Sequence, residues 1–283
     1  MGKEDQIPLH NFTKDDEDSI AFKLHSLEKR SYYDFTVPHR HNYFEIFFFE
    51  VGGGYHLIDF EEFEIQDGSI HFVSPGQVHV LKRAPGSYGY IVIFSREFFY
   101  KATPDNRLLF RHPLLHNRTN YPIIKPVQKH FQELVNCVTR MGQELARNSP
   151  YMEELMRLYL HEMLFRSAEN LERKQQEPDL VMSFFALLET HFYEWHFVTQ
   201  YADELAVSDR QLGHELSNST GKTTLEHIAQ RLMLEAMRLL QYSELSVKEI
   251  GFRLGFDDPA HFGKFFKKHR KISPGAFRSK SNE

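Results

Sequence analysis

His39, His41, Glu45 and His79 are side chains able to hold a cation, and three of them fall within seven residues. On an extended chain residues two apart point the same way. His39, His41 and Glu45 therefore share one face, with Tyr43 between them, provided no bulge intervenes. Imidazole and carboxylate together suit a divalent ion such as zinc, iron, nickel or manganese. A histidine arriving after the Pro75-Gly76 turn completes the set. The same side chains, joined by Tyr43 and Tyr55, would also line a pocket for a small polar ligand held by few hydrogen bonds in an aromatic surround. His71 and Phe47 are further lining residues. The pocket is the expectation: no metal or other cofactor, and His39, His41, Glu45 and His79 as ligands if a divalent metal is bound.

A second chemistry sits near the other end. Residues 259–283 hold seven Lys or Arg and one acid, Glu283, in a chain whose net charge is −5. A basic face on an acidic protein points to a polyanion, because phosphate contacts supply most nonspecific affinity. The pattern from Ser246 to Arg270 gives that face a scaffold. Ser246 with Glu249 makes a capping box, and Val247, Ile250 and Leu254 recur at helical spacing. Gly255 ends the helix. Asp258-Pro259 restarts the chain as N-cap and first helical residue. Phe262, Phe265 and Phe266 then line one face of the second helix, opposite Ala260, His261, Lys264, Lys267 and Lys268. Two helices and a glycine turn, apolar within and basic without, make a helix-turn-helix.

The elements that position these groups follow from periodicity. Residues 32–37, 44–51, 55–60, 61–65, 69–73, 79–82 and 88–94 read as short strands punctuated by glycine and proline turns, the pattern of a sandwich or small barrel. Residues 125–142 and 150–172 read as helices. Phe131, Leu134, Val135, Val138 and Met141 form one stripe; Leu155, Leu158, Tyr159, Glu162, Met163 and Phe165 form another. They either cover the barrel or carry a self-association face. Residues 180–195 and 198–206 read as further helices, with Thr199 as a candidate cap. Ser208 caps a helix over 209–216 with Leu212 and Leu216 inside and Arg210, Gln211 and His214 outside. A long helix over 224–242 follows.

The Ser246–Arg278 stretch resembles the AraC/XylS transcription regulators. The resemblance lies in Glu249-Ile250-Gly251, Gly255-Phe256, Asp258, Phe262, Lys264, Phe265-Phe266-Lys267, Ser273-Pro274 and Phe277-Arg278. Gly251 replaces a usual alanine, and Lys271 a usual helix-closing glycine. The resemblance implies two helix-turn-helix units on one connector, with two recognition helices in successive major grooves about 34 Å apart. It implies base contacts from Arg210, Gln211, His214, His261 and Lys264, phosphate contacts mainly from Lys222, Lys267, Lys268, Arg270 and Arg278, and a place for Ala260 on the DNA-binding surface. The first part of the chain is similar to a cupin, through His39-x-His41-x3-Glu45-x6-Gly52 and Pro75-Gly76-x2-His79. Cupin-like barrels are the sensor domains of this family, and the helices after them commonly dimerise.

The expected architecture is α+β: a flexible arm (1–19), a cupin-like sensor barrel (20–122), a helical dimerisation element (123–173), a linker (174–178) and an all-α DNA-binding domain (179–283). The expected function is a cytoplasmic, bacterial-type transcription regulator and not an enzyme. Its partners would be double-stranded DNA, a small-molecule effector, RNA polymerase and a second copy of itself. No apolar run is long enough to span a bilayer and no signal peptide opens the chain. The single cysteine, Cys137, excludes an intramolecular disulfide framework. The alternative is a metal-dependent cupin enzyme with a helical interaction domain.

Overall fold

The computed structural model describes residues 9–10, 22–27, 36–100, 122–169 and 179–281. They fall into two compact units, one within Pro8–Lys174 and one within Gln175–Glu283. The segment 174–178 lies outside the described residues, as does most of 1–19 and of the strand expected at 32–37.

The first unit is β-rich. Its strands are β1 (Leu9–His10), β2 (Phe22–Ser26), β3 (Arg40–His41), β4 (Phe44–Val51), β5 (Gly54–Ile58), β6 (Glu61–Glu64), β7 (Ser69–Val73), β8 (His79–Arg83), β9 (Tyr88–Phe94) and β10 (Ile123–Ile124). One antiparallel sheet runs β10-β7-β4-β9-β2, a second β6-β5-β8, and β1 pairs in parallel with β3. Leu9–His10 thus pair with Arg40–His41, where the sequence suggested only a flexible arm.

β4 is the central strand, and its near-continuous apolar run marks a strand buried on both faces. Alternation then sorts its side chains. Phe44, Ile46 and Phe48 face helices α2 (Gln128–Arg147) and α3 (Met152–Ala168), which close the core with Phe131, Leu134, Val135, Val138 and Met141. Phe47 and Phe49 face the second core, with Ile58, Val73, Leu81 and Ile91. Each buried aromatic or aliphatic side chain contributes about 1.5–3 kcal/mol. Gly89 permits β9 to lie this close, since a Cβ there would overlap the carbonyl oxygen of Phe48. A short helix, α1 (Arg96–Tyr100), follows β9 and buries Phe98 and Phe99.

Of the stripe read on α3, Met163 turns inward, while Leu158 and Phe165 do not cover the barrel. Met152, Met156, Leu160, Met163 and Leu164 are buried, whereas Leu158 and Phe165 are 64% and 52% exposed. The helix is apolar on two sides, and the inward side is the one carrying its methionines.

The second unit is all helical: α4 (Asp179–His191), α5 (Val198–Glu204), α6 (Asp209–Thr220), α7 (Thr224–Tyr242), α8 (Val247–Arg253), α9 (Pro259–Arg270) and α10 (Pro274–Ser281). Phe184, Tyr201, Leu212, Leu216, Leu239, Ile250, Leu254, Phe262 and Phe266 share its core. Thr199 is not the cap of α5. Phe197 holds that position, its N–H donated to Oε1 of Gln200. Among the described residues no helix is long and apolar enough to cross a membrane.

Candidate nucleic-acid interface and a buried histidine chamber

The second helical pair is built as its residues dictate. Ser246 Oγ accepts the Glu249 N–H at 3.2 Å, and Glu249 Oε2 accepts the Ser246 N–H at 2.7 Å, so two orphan donors at the start of α8 are satisfied reciprocally. Gly255 follows with φ 80, in a position where a Cβ would overlap the Tyr193 carbonyl. Asp258 Oδ1 accepts the Ala260 N–H at 2.9 Å and starts α9. Phe262 and Phe266 are fully buried and Phe265 is half-buried against Phe256. Ala260, His261, Lys264, Lys267, Lys268 and Arg270 are exposed. Lys271 ends the helix at φ 64, the left-handed conformation that glycine adopts at less cost.

Arg278 departs from expectation. Its Nε donates to the Leu240 carbonyl at 2.9 Å and its Nη2 to the Leu245 carbonyl at 2.7 Å. The guanidinium is committed to tying α10 to the end of α7, so its assignment to phosphate is withdrawn.

The first pair is similar inside. Ser208 Oγ accepts the Gln211 N–H, Leu212 and Leu216 are fully buried, and Gly221 closes α6 at φ 73. Arg210, Gln211 and His214 are exposed. His214 has Glu215 at 3.8 Å, an acid that dilutes the local positive charge. Lys222 is exposed and donates to Gln230 at 3.2 Å.

Between the pairs runs α7, opened by the capping box Thr223/Glu226. Its buried ionic network fixes it to α4: Arg231 Nε donates to Glu189 at 3.0 Å, and Glu235 Oε2 accepts from both Arg231 (3.3 Å) and Arg238 (3.2 Å). Tyr193 donates its hydroxyl to Glu235 Oε1 at 2.9 Å.

The β unit brings its histidines together. His39, His41, Glu45 and His79 are at most 1% exposed, and so are His56, His71 and Ser69. His41 Nε2 and His79 Nε2 lie 3.1 and 3.4 Å from the same carboxylate oxygen, Glu45 Oε2. One ligand atom each from His41, Glu45 and His79 lies within 4.8 Å of the others, a set able to hold a metal ion. His39 pairs its backbone with His79 and stands outside that trio, its ring 4.2 Å from that of His79. Tyr43 stacks on His41 at 4.2 Å.

His56 was not among the sequence candidates. It lies between His71 (Nδ1 to Nδ1, 3.1 Å) and His79 (Nε2 to Nδ1, 3.0 Å). The inward face of β5 carries His56 and Ile58. Tyr55, expected to line the pocket, is on the opposite face, where Lys82 lies over its ring at 5.4 Å. Tyr-His-Leu-Ile shows no clean polar alternation, so spacing alone could not choose the face. Burial holds His56 well below the ordinary histidine range, with the His71 ring as the next cause. Burial likewise pushes His71 down to about 3. Both rings are neutral at physiological pH.

Two family models match the chain. One, described as an AraC-like ligand binding domain, matches residues 26–158, and another, a helix-turn-helix domain, matches 201–280. The chain is 28% identical over 251 residues to the HTH-type transcriptional activator RhaS of Escherichia coli O6:H1, spanning 85% of this chain and 86% of that one. Among solved structures it is similar to ToxT of Vibrio cholerae O395, at 17% identity, TM-score 0.42, and coverage of 91% and 97%. It is also similar to the C-terminal domain of AraT, a response regulator from Geobacillus stearothermophilus, at 25% identity, TM-score 0.36, and coverage of 38% and 88%.

Proposed function

The chain belongs to the AraC/XylS family of DNA-binding transcription regulators, and we propose that a small effector held in its β unit controls how it reads DNA. The observation that carries the DNA part is α9, whose aromatic side is buried while its opposite side presents Lys264, Lys267, Lys268 and Arg270 to solvent. Lys264, His261 and Ala260 sit where a groove-inserted helix meets base edges; Lys267, Lys268 and Arg270 sit where it meets phosphate. Arg210, Gln211 and His214 on α6 read a second site, with Lys222 on the backbone. α9 dominates because no acid dilutes its outer face.

Lys264→Ala is expected to cost about 1–3 kcal/mol on the specific site and to relax preference there. Lys268→Ala should weaken specific and random duplex alike and lower the salt slope by about one unit. Titrating both variants against operator and scrambled duplex at several salt concentrations tests this. Curves indistinguishable from wild type would sink the placement of α9 in the groove.

The relatives are transcription regulators rather than enzymes. We take RhaS's description as an activator as a guide, with RNA polymerase as the partner so engaged. Self-association is supported by α3, where Tyr151, just before the helix, and Leu158 and Phe165 stand 72%, 64% and 52% exposed at spacings of seven residues. A homodimer would cover that stripe, and Leu158→Glu should convert it to monomer in sedimentation experiments. The cytoplasm is the compartment where such a protein meets DNA.

A further inference from the structure

The segment Phe192–His196, between α4 and α5, touches both reading heads of the helical unit (α5–α6 and α8–α9) and the connector that joins them. Its end nearest α5 is tied to the first head. The Trp195 carbonyl accepts the Tyr201 hydroxyl at 2.9 Å, and the two rings meet edge to face at 5.3 Å. Tyr201 is fully buried on α5, so this joint lies inside the core. The Trp195 N–H donates back to the His191 carbonyl at 2.8 Å, and its ring stacks on that of His191 at 3.9 Å. The middle of the segment is tied to the connector. The Arg231 guanidinium lies over the Phe192 ring at 3.7 Å, a cation–π contact within the buried ionic network. Tyr193 adds its hydroxyl bond to Glu235.

The far side of the segment meets the second head. The Tyr193 carbonyl lies against Gly255, and His196 Cε1 and Nε2 would each stand 3.2 Å from a Cβ placed there. The His196 ring also packs on Phe256 at 5.1 Å. Phe256 in turn meets the rings of His261, Phe262 and Phe265 on α9 at 5.6, 5.4 and 5.3 Å. Burial holds the His196 imidazole below the ordinary histidine range, with the Leu254 backbone acting the other way, so the ring is neutral at physiological pH. A neutral ring can be pressed against the turn without a buried charge to satisfy.

Five residues therefore bridge the first head, the connector and the second head. Two heads joined stiffly in the right orientation bind as one unit, and that gain is lost when the geometry forbids joint engagement. DNA sharpens the demand, because one base pair turns the next half-site by about 34–36°. We propose that Phe192–His196 is a strut that fixes the orientation of α9 relative to α6, with His196 as the positioning residue for the second head. The proposal rests on the DNA-binding reading above and adds how its two helices are kept in phase.

The test uses full-length protein and a duplex enriched by wild type from a random-sequence pool. Fluorescence anisotropy compares that duplex with one carrying an extra base pair between the half-sites, and with duplexes in which either half-site is scrambled. Wild type should lose about tenfold or more on the insertion. His196→Ala should bind the intact duplex more weakly, bind both single half-site duplexes as wild type does, and lose less than about threefold on the insertion. A merely structural role would instead lower affinity for the α9 half-site alone. Tyr193→Phe, which removes only the hydroxyl bond to Glu235, should move the insertion penalty the same way by less, and it supplies the answer if His196→Ala does not fold. Insertion penalties equal in wild type and the folded variants would overturn the strut, as would a loss confined to the α9 half-site. Both results would leave the DNA-binding reading standing. A pool from which wild type enriches no duplex would overturn that reading and the strut with it.

Discussion

In the first helix-turn-helix unit Ser208 caps α6, while Leu212 and Leu216 fill the interior; in the second Asp258 caps α9, while Phe262 and Phe266 do. The first closes its outer helix with Gly221 and the second with Lys271, both left-handed. Outside, α6 mixes Arg210 and His214 with Asp209 and Glu215, whereas α9 between Ala260 and Arg270 carries no acid. The two scaffolds are alike and their surfaces differ. Stability and readout are therefore separable properties here, and substitutions should sort by which side of the helix they touch.

The largest effect expected is on the inside. Phe262→Ala should cost about 3–5 kcal/mol and Leu212→Ala about 2–5 kcal/mol, both by opening a cavity in a fully buried site. Urea unfolding followed by far-UV circular dichroism measures both. A loss below about 1 kcal/mol at either site would mean that its interior is not packed as described. Next comes Arg278→Ala. Loss of two charged hydrogen bonds to carbonyls should cost about 1.5–3 kcal/mol. The salt slope of DNA binding should stay unchanged; a slope lowered by about one unit would return Arg278 to the phosphate contacts. Ser208→Ala should remove about 1 kcal/mol through the lost N-cap, with affinity for random duplex intact. Smallest is Lys271→Gly, expected to raise the melting temperature slightly. It relieves a left-handed residue costing about 1 kcal/mol, partly offset by glycine's greater freedom in the unfolded chain. A lowered melting temperature would show that the Lys271 ammonium, which donates to the Lys268 carbonyl at 3.1 Å, outweighs the backbone strain.

The helical half was the more legible in the sequence because its signals are local. Ser246 with Glu249, Gly255, and Asp258 with Pro259 act within a few residues, and each performs the expected capping or turn role. The strands 44–51, 69–73 and 88–94 were equally plain from turn punctuation. What escaped was long-range. His56 joins the chamber because β5 pairs with β8 across the second sheet, setting His56 opposite Leu81, a register no spacing within β5 reveals. Which side of α3 is buried escaped because both Met156 and Leu158 are apolar, and only α2 packing against one side decides between covering the barrel and facing outward. Arg278 was misassigned because its acceptors, the Leu240 and Leu245 carbonyls, lie more than thirty residues back along the chain.

The connector α7 runs for 19 residues from Thr224 to Tyr242 without glycine or proline, about 28 Å of unbroken helix. A rod of that kind behaves as a screw. One inserted residue would lengthen it by only about 1.5 Å but would rotate everything beyond by about 100°. The outer faces of α6 and α9 would then look in different directions, and the Glu235 network would be pulled out of register with Glu189 and Tyr193. Sequence drift along this connector can proceed by substitution on its exposed side, but its length is held fixed by angle rather than by distance.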